Sequence, residues 1–568
     1  MKVFENLKKF KWQIVFVIIL TFMNALGELY LPKLMSIMID EGVTNVDFQV
    51  ISKTGSIMIL VVIVTVLFRS SAAYFSARTA MGYSADLRHE LYSKINRMST
   101  DDTEVFSTSS LITRTTEDVT QVEQLVLLAL RPMVRAPLMF VGGLIMALNT
   151  NVKLSGVFLI AIPVMSVLLL YVVKKAMPFF KTLQEKLDNL NMYFRRRLSG
   201  IFVIRAFSTD PYEEELFKQA NDEYYKTGVK VTVFMSGVMP VLQLIMNIAI
   251  ACIFYFGARL INVGDLKIGE LMAYVQYITQ VLFSMIMVSI MASYLPRFLT
   301  SANRVEEVLQ FETHKTGGDV ELSSHIDSIK VKDLTYVYPG ANRPVIENLN
   351  FEIKAGETLG IIGGTGSGKT TFLKLLLQFA KPTSGDILIN GISINDIETK
   401  SLRSRLSYVP QQNYFFTKSV GENLRYADIN AAEEVMINAL SKSQALEFLD
   451  SEPLNEEMIR GGKNFSGGQR QRIAIARALT READVYLFDD SFSALDYLTD
   501  NKIRSSLNKN LKQSMSVIVA QRIATIRNAD KILLLEDGEQ AGFGTHDELM
   551  RDSDIYREIA ISQGEDEK

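Results

Sequence analysis

Residues 358–379 read TLGIIGGTGSGKTTFLKLLLQF and decide the fold of the second half of this chain. The stretch begins as an apolar run of strand character, passes through a loop that fits G-x-x-x-x-G-K-[ST], and ends as a run of helical character. Closely spaced glycines let backbone N–H groups surround phosphate oxygens, and the start of the following helix adds positive potential. The stretch therefore predicts a phosphate-binding strand–loop–helix unit in an α/β domain.

The side chains of this loop have predicted tasks. We expect Lys369 to reach the β- and γ-phosphates of a nucleotide and the Thr370 hydroxyl to bind Mg²⁺. The alternative is a glycine-rich turn that binds nothing, and the correct flanks on both sides argue against it. The residues of this element that we expect to bind the nucleotide are Gly363, Gly364, Thr365, Gly366, Ser367, Gly368, Lys369, Thr370 and Thr371.

Length and composition indicate more than one domain and a partner other than nucleic acid. A chain of 568 residues is too long for a single core. Its hydrophobic content of 48% and positive mean hydropathy suggest that part of it lies in lipid. A net charge of −3 argues against nucleic acid as the main partner. The single cysteine, Cys252, excludes a disulfide within the chain.

Six stretches are long and apolar enough to span a bilayer, which requires about 20 residues each. Helices are expected, because lipid leaves backbone groups no other partners. A basic flank precedes the first stretch, as in a cleavable signal peptide, but its apolar character continues too far, so we expect a retained helix. The predicted spans are Trp12–Ile39, Gly55–Ala80, Gln124–Leu148, Leu154–Val173, Thr232–Phe256 and Ile268–Leu295.

The connections between these spans predict the orientation. Those after the second and fourth spans, Met81–Glu123 and Lys174–Val231, are long, amphipathic and rich in Arg and Lys. By the positive-inside bias, they and both termini should lie in the cytoplasm, with helices that continue beyond the membrane. We thus predict a multi-pass protein of the cell membrane whose membrane domain covers residues 1–310.

The composition changes near Asn303. We predict a polar linker at 311–325 and a soluble α/β domain at 326–568, in which short β-rich runs alternate with helical patterns. The predicted strands are Ile329–Tyr338, Phe351–Ile362, Asp386–Ile389, Leu406–Val409, Val485–Phe488, Ser516–Ala520 and Lys531–Glu536.

Further motifs follow the phosphate loop in a meaningful order. Asp489 ends a buried strand and is suited to bind Mg²⁺, and Gln411, which ends another strand, offers a side-chain carbonyl to the metal. Tyr338 could stack on an adenine, although alone it would more often be a core aromatic. A second anion-binding helix N-terminus is predicted where Ser and two Gly residues precede a helical run. Its nucleotide-contacting residues are Asn464, Ser466, Gly467, Gly468 and Gln469.

Together these motifs resemble an ABC transporter half of the exporter type, and the resemblance covers essentially the whole chain. The sequence of phosphate loop, Gln411, signature at Asn464–Gln469 and Asp489 is highly specific, and Asp496 ends a match to the family's D-loop. In that family two nucleotide-binding domains close head to tail around two ATP molecules, each between one chain's phosphate loop and the other's signature. The resemblance implies ATP and Mg²⁺ as cofactors and a second half-transporter as partner.

Two positions depart from the family's pattern. Asp490 stands where the family usually has a glutamate that polarises the attacking water, and it is shorter by roughly 1.5 Å. Gln521 replaces the family's switch histidine, and it can donate a hydrogen bond but cannot become cationic. With an intact signature, this pair resembles the degenerate-site subunit of a heterodimeric bacterial multidrug ABC exporter. The alternative is a homodimer that hydrolyses ATP slowly with Asp490 and Gln521.

The function that these features favour is ATP-driven export of amphipathic, drug-like small molecules. Export of lipids, peptides or thiol metabolites remains open, as does a regulatory ATP-binding membrane subunit that transports nothing. Asp102–Ser109 and Phe207–Glu215 resemble the family's two coupling segments. The charged residues of the spans, Glu28, Arg69, Arg131 and Arg135, either pair or snorkel, which we favour, or line a substrate path.

Overall fold

The computed structural model describes residues 2–313, 317–323 and 325–564. Their contacts divide the chain into two units, one made of Met1–Asn96 and Thr108–Phe311, the other of Arg97–Ser107 and Glu312–Lys568. Parts of the predicted domains and linker lie outside the described residues, namely residue 1, residues 314–316, residue 324 and residues 565–568.

Nearly all of the chain before residue 312 is helical. A 3₁₀ helix, Lys2–Phe10, precedes the first long helix, and π-helical turns occur at Met38–Val43 and Arg114–Asp118. The α-helices are α1 (Lys11–Ile37), α2 (Phe48–Ile95), α3 (Thr100–Phe106), α4 (Thr108–Thr113), α5 (Val119–Leu130), α6 (Pro132–Thr150), α7 (Gly156–Ser199), α8 (Ile201–Ala206), α9 (Asp210–Val263) and α10 (Ile268–Gln310).

Six helical runs in the described residues are long and apolar enough to cross a membrane, which confirms the predicted number of spans. The helices continue into polar segments beyond the predicted apolar spans. With its 54 residues, α9 is roughly 80 Å long, more than twice the thickness of a hydrocarbon core. The six runs are Lys2–Val43, Phe48–Ile95, Thr108–Thr150, Gly156–Ser199, Asp210–Val263 and Ile268–Gln310.

The third of these runs is broken within its apolar part. α5 ends at Leu130 and α6 begins at Pro132, and between them Arg131 leaves the helical region with φ −122° and ψ −73°. A proline has no N–H to donate and restricts the residue before it, so it is favoured at the first position of a helix. Pro132 therefore accounts for the break.

The unit made of residues 1–96 and 108–311 contains the six long runs and is called the membrane unit below. Within it, α1 packs against α2, α6 and α10, while α7 pairs with α9. The 3₁₀ helix at the N-terminus is attached to this unit by Glu306 of α10, whose carboxylate accepts hydrogen bonds from the backbone N–H groups of Lys2 and Val3 at 2.7 and 2.8 Å. The Tyr83 hydroxyl of α2 donates to the Val3 carbonyl at 2.7 Å, so the same segment is held from a second side.

The second unit contains two sheets. The antiparallel sheet has the order β2-β1-β4-β5, and the other has the order β10-β9-β3-β8-β7-β6, in which only β10 runs antiparallel to its neighbour. The strands are β1 (Ser328–Tyr336), β2 (Ile346–Lys354), β3 (Thr358–Gly363), β4 (Ser384–Ile389), β5 (Ile392–Ser393), β6 (Leu406–Val409), β7 (Val485–Asp489), β8 (Met515–Val519), β9 (Lys531–Glu536) and β10 (Glu539–Gly544).

One predicted strand is wrong. The run Phe351–Ile362 is not continuous, because the chain turns at Ala355 and Gly356, where Gly356 adopts φ +82°. Its first part belongs to β2 in the antiparallel sheet and its second part to β3 in the mainly parallel sheet. The turn therefore carries the chain from one sheet to the other.

The helices of this unit that follow residue 312 lie between and after the strands. They are α11 (Lys369–Leu376), α12 (Thr399–Arg405), α13 (Val420–Leu424), α14 (Glu433–Lys442), α15 (Gly467–Leu479), α16 (Tyr497–Asn510), α17 (Ile523–Ile526), α18 (His546–Asp552) and α19 (Asp554–Ser562), with a 3₁₀ helix at Ala445–Glu447. This alternation of helices with parallel strands confirms the predicted α/β class.

A close approach in the membrane unit generates a stability prediction. The Gly269 N–H donates to the Asp40 carboxylate at 2.6 Å, and a Cβ at this position would lie 2.4 Å from the Ser36 carbonyl oxygen. We expect Gly269→Ala to destabilise the chain by about 1–3 kcal/mol, because a backbone atom has to move. Gly55→Ala on α2, where nothing lies within 4 Å, is the control. Thermal unfolding in detergent, followed by circular dichroism, should show a lower midpoint for Gly269→Ala only.

Candidate functional site

Parallel pairing gathers the predicted site at one edge of a sheet. β3 pairs with β8 as far as Ile361↔Val519, and β7 pairs with β8 as far as Asp489↔Val519. The carboxyl ends of parallel strands meet at the same edge, where ligands of α/β proteins bind. This edge therefore carries the phosphate loop after β3, the two acidic residues at the end of β7, Gln521 after β8 and Gln411 after β6.

The phosphate loop requires glycine for steric reasons at two positions. A Cβ on Gly363 would lie 2.1 Å from the Leu535 carbonyl oxygen. Gly368 has φ +93°, and a Cβ there would lie 2.6 Å from the Val345 carbonyl oxygen. Gly364, Thr365, Gly366 and Ser367 form the turn between these two positions. The backbone is thus fixed as a tight loop at the start of α11.

The Lys369 ammonium group lies inside this loop. It donates hydrogen bonds to the Gly363 and Gly364 carbonyls at 2.8 and 2.6 Å. Burial lowers the pKa of Lys369, while the nearby carboxylates Asp490 and Asp489 act in the opposite direction. A partly buried cation among backbone groups is well suited to attract the oxygens of a polyphosphate.

Thr370 and Asp489 form a compact set of oxygen donors. The Thr370 hydroxyl donates to one Asp489 carboxylate oxygen at 3.0 Å, and the Tyr408 hydroxyl donates to the other at 3.4 Å. Asp489 is only 1% exposed, and burial raises the pKa of its carboxyl. Hydroxyl and carboxylate oxygens are ligands that Mg²⁺ prefers, so these two residues fit the ion. Gln411 lies on the same edge with an exposed side chain, and no hydrogen bond joins it to Asp489 within the described residues.

The two residues that depart from the family's pattern contact each other. The Gln521 side-chain amide donates to the Asp490 carboxylate at 2.8 Å. Asp490 adopts φ +48°, a conformation uncommon for a residue other than glycine, and its carbonyl accepts a hydrogen bond from the Gln471 amide at 3.1 Å. Gln563, which directly follows α19, donates to the Gln521 carbonyl at 2.9 Å. The two side chains are therefore held by each other, and the backbone carbonyl of each residue is held by a further side-chain amide.

The signature forms the N-terminus of α15. The Ser466 hydroxyl accepts from the Gln469 N–H at 3.3 Å, and the Gln469 side chain accepts from the Ser466 N–H at 2.7 Å, which is a capping box. Gly467 and Gly468 make up the first turn, and the Asn464 amide donates to the Glu457 carbonyl at 2.9 Å. Among the described residues no hydrogen bond or ion pair joins this signature to the phosphate loop.

Two other predicted residues have structural contacts. Asp496 caps α16 by accepting from the Thr499 N–H at 3.0 Å, and hydrogen bonding from Thr499 lowers the pKa of its carboxyl. The Tyr338 hydroxyl lies 3.2 Å from the Thr371 hydroxyl, beside the first turn of α11. Lys374 lies 5.6 Å from the centre of the Tyr338 ring. Tyr338 is thus placed next to the phosphate loop.

Sequence reasoning missed three residues that support this edge, namely Tyr408, Gln471 and Gln563. Tyr408 precedes Val409 at the end of β6, and a polar aromatic in so short an apolar strand was an available signal. Gln471 is 5% exposed although it follows the exposed start of α15, so a polar residue at a buried helical position was a second signal. Nothing in the local sequence around Gln563 points to β8.

Two family matches cover most of the chain. The family described as ABC transporter transmembrane region matches residues 13–285. The family described as ABC transporter matches residues 346–493, which include the phosphate loop, the signature and Asp489.

The chain is also similar to complete proteins over almost its full length. An uncharacterized ABC transporter ATP-binding protein of Mycobacterium tuberculosis is 33% identical, with 98% of this chain and 97% of that protein covered. An ATP-dependent lipid A-core flippase of Pseudomonas syringae is 30% identical, with coverage of 86% and 81%. A solved structure of a bacterial Atm1-family ABC exporter with ATP bound shares the fold with a TM-score of 0.80 at 22% identity, covering 98% of this chain and 99% of that one.

The burial of Asp489 gives a prediction about stability and pH. A carboxyl whose pKa is raised on folding contributes stability at low pH and loses that contribution as the pH rises through its folded-state pKa. We therefore expect Asp489→Asn to raise the thermal midpoint of the nucleotide-free chain at neutral pH. The gain should shrink as the pH falls towards the ordinary carboxyl pKa of 3.8.

The control for this measurement is Asp496→Asn. Hydrogen bonding lowers the pKa of that carboxyl, so its ionised form is favoured by folding at neutral pH. Its substitution should not raise the midpoint at any pH. An equal gain from both variants, or a gain from Asp489→Asn that does not depend on pH, would contradict the role given to burial.

Proposed function

This chain belongs to the ABC transporter family, as an ATP-hydrolysing half-transporter of the exporter type, and on that premise we propose that it exports amphipathic small molecules as the degenerate-site subunit of a heterodimer. The observation that carries this proposal is the contact at 2.8 Å between Asp490 and Gln521, beside an intact signature.

The geometry of a single chain supports a dimer. The chain has one phosphate loop and one signature, and within the described residues no hydrogen bond links them. A second chain that presented its own signature to Gly363–Thr371 would complete a nucleotide site on this chain. Reciprocally, the N-terminus of α15 would offer its N–H groups to the nucleotide on the partner. The residues that would meet that second nucleotide are Asn464, Ser466, Gly467, Gly468, Gln469 and Asp496.

In the site on this chain, the phosphate loop and Lys369 would hold the phosphates of ATP, and Tyr338 would lie beside the adenine. Thr370 and Asp489 would hold Mg²⁺, with Gln411 as a further ligand. When bound, the ion neutralises charge on the phosphate oxygens. Burial of Asp489 excludes water from one side of this set.

The Asp490 carboxylate and the Gln521 amide form a hydrogen bond with each other. In this arrangement Asp490 does not bind an attacking water molecule and Gln521 does not bind a phosphate. The shorter Asp490 side chain retreats by roughly 1.5 Å from the position of a glutamate carboxylate. A misplacement of about 1 Å can reduce a rate on the order of 10²-fold. Gln521 supplies no positive charge. Both features favour a site that binds ATP and hydrolyses it slowly, while the partner's site does most of the turnover.

The two coupling segments are proposed to transmit closure of the nucleotide-binding domains to the membrane unit. Residues 97–107, which include most of the first segment, group with the nucleotide-binding unit of their own chain. In the second segment, Phe207 and Tyr212 are 76% and 63% exposed. Large apolar side chains exposed together are typical of an interaction surface, and the partner's nucleotide-binding unit is the expected occupant. This arrangement requires both termini to be cytoplasmic.

Lipid export is the second candidate for the transported substrate. It is supported by similarity over most of the chain to proteins named as lipid A-core flippases. ATP-dependent movement of a labelled lipid or of a drug-like dye in reconstituted vesicles would decide between the two classes. Movement of neither, with normal ATP hydrolysis, would contradict export.

The heterodimer proposal predicts how activity is distributed. The purified chain alone should hydrolyse ATP on the order of 10²-fold more slowly than its complex with a half-transporter that carries Glu and His at the two degenerate positions. Steady-state phosphate release measures both rates. Comparable turnover by the isolated chain would instead favour the homodimer.

Within that complex, we expect Ser466→Arg to reduce turnover more than Asp490→Asn. Ser466 would face the nucleotide at the competent site, whereas Asp490 serves only the weak site. Because the substitution also removes a helix cap, Thr545→Arg, which removes the similar capping box of α18, is the control. The assignment of the two sites would be reversed if Asp490→Asn abolished hydrolysis and Ser466→Arg left it near normal.

A further inference from the structure

A cavity of about 570 Å³ lies within the membrane unit, among α1, α2, α6 and α10. Four charged residues of the apolar spans, Glu28, Arg69, Arg131 and Arg135, line it. The break between α5 and α6 puts Arg131 and the first turn of α6 on its wall. The cavity thus brings three arginines and one glutamate of the apolar spans together, where charge is costly.

These charges do not cancel. Glu28 and Arg135 form an ion pair at 2.5 Å, which agrees with the pairing expected for them. Arg69 and Arg131 have no acidic partner among the described residues, so the expectation of pairing does not extend to them. The Nε of Arg135 is buried without a hydrogen-bond partner. Three guanidinium groups and one carboxylate leave the cavity with an excess of two positive charges.

Unpaired guanidinium groups within apolar membrane-spanning segments are unfavourable unless water or an anion reaches them. An oxyanion satisfies them best, since the planar fork of an arginine matches the two oxygens of a carboxylate or phosphate. Uncharged donors and acceptors accompany the arginines, including Asn24, Gln276 and Gln280. The charged part of the cavity is therefore suited to a polar head that carries negative charge.

The remaining wall is apolar and adaptable. Leu31, Met139, Phe283 and Met287 line the same cavity. Methionine side chains are flexible and polarisable, so they accommodate apolar groups of different shapes. A ligand that satisfies both parts of the wall has an anionic head and a hydrocarbon tail.

We propose that this cavity binds amphiphiles whose head is a carboxylate or phosphate, and that Arg69 and Arg131 hold the head. The inference rests on the proposed export function and specifies the substrate class for it. The same head chemistry occurs in anionic phospholipids of the bilayer and in single-chain amphiphiles that enter from water.

The test is equilibrium binding of radiolabelled dodecyl phosphate to the full chain in nanodiscs of zwitterionic phosphatidylcholine, without nucleotide. Arg69→Gln and Arg131→Gln should each weaken binding by about tenfold or more, because each removes a charge-assisted hydrogen bond. Arg69→Lys, which keeps the charge and loses the fork, should have an intermediate effect. The matched control is Arg78→Gln, on the same helix but outside the cavity, and it should leave binding unchanged.

Several outcomes would overturn the inference. The first is that dodecyltrimethylammonium binds as tightly as dodecyl phosphate. The second is that Arg69→Gln and Arg131→Gln both bind dodecyl phosphate like the parent chain. The third is that Arg78→Gln loses as much affinity for dodecyl phosphate as these two variants do. Parent-like thermal midpoints for the variants exclude misfolding as the cause of a loss. Adding phosphatidylglycerol to the nanodisc distinguishes the two sources of the ligand. If this lipid displaces labelled dodecyl phosphate, the ligand comes from the bilayer; if it does not, the site takes single-chain amphiphiles.

The binding measurement is independent of the export proposal. If dodecyl phosphate does not bind while the heterodimer still moves a dye or lipid with ATP, the substrate class is wrong and export stands. If binding of dodecyl phosphate depends on Arg69 and Arg131 but the heterodimer moves no substrate with ATP, the binding site is supported and the export proposal is wrong.

Discussion

The parallel pairing of β3, β8 and β7 is the constraint on which the nucleotide-binding unit depends. It places Gly363, Asp489 and the residues after Val519 at one edge without requiring any of them to be near the others in sequence. The hydrogen bond from Thr370 to Asp489 then joins the loop after β3 to the end of β7. The sheet therefore gathers the polar groups of the candidate nucleotide site at one edge.

The membrane unit obeys a different constraint, because lipid offers no hydrogen-bond partners. Its helices satisfy their own backbone groups, and Glu28 forms an ion pair with Arg135. The helix break at Arg131 lies where polar side chains surround a cavity. Polar side chains thus cluster in both units, at the edge of a sheet in one and at a helix break in the other.

Sequence patterns predicted elements well where a single physical signal dominated. The bounds of β6 and β9 agree with the predicted ones, because both are short apolar strands with clear breaks. The run Phe351–Ile362 failed because its apolar pattern continues across a turn that only the φ of Gly356 reveals. The ends of the long helices could not be predicted from the apolar stretches alone, since an amphipathic helix in water has no sharp hydropathy limit, as in the extension of α2 to Ile95.

In the candidate site, too, some features could be predicted from local sequence and others could not. Motif order was sufficient to predict that Thr370 and Asp489 belong to one site, and the structure brings the two side chains into contact at one edge of the parallel sheet. Motif order was insufficient for the contact between Asp490 and Gln521, which depends on a left-handed backbone at Asp490 and on two extended side chains. Long-range supports such as Gln471 and Gln563 depend on packing between elements that no local pattern encodes.

Gln563 connects the last helix to the nucleotide edge through one amide. Its oxygen accepts from the Ile523 N–H at 2.8 Å while its nitrogen donates to the Gln521 carbonyl at 2.9 Å. The segment after β8 is consequently clamped at both of its backbone ends by a residue 42 positions away from Gln521. Because Gln563 directly follows α19, a shift of that helix would move the backbone of Gln521, so the position of the last helix and the geometry of the nucleotide edge are coupled.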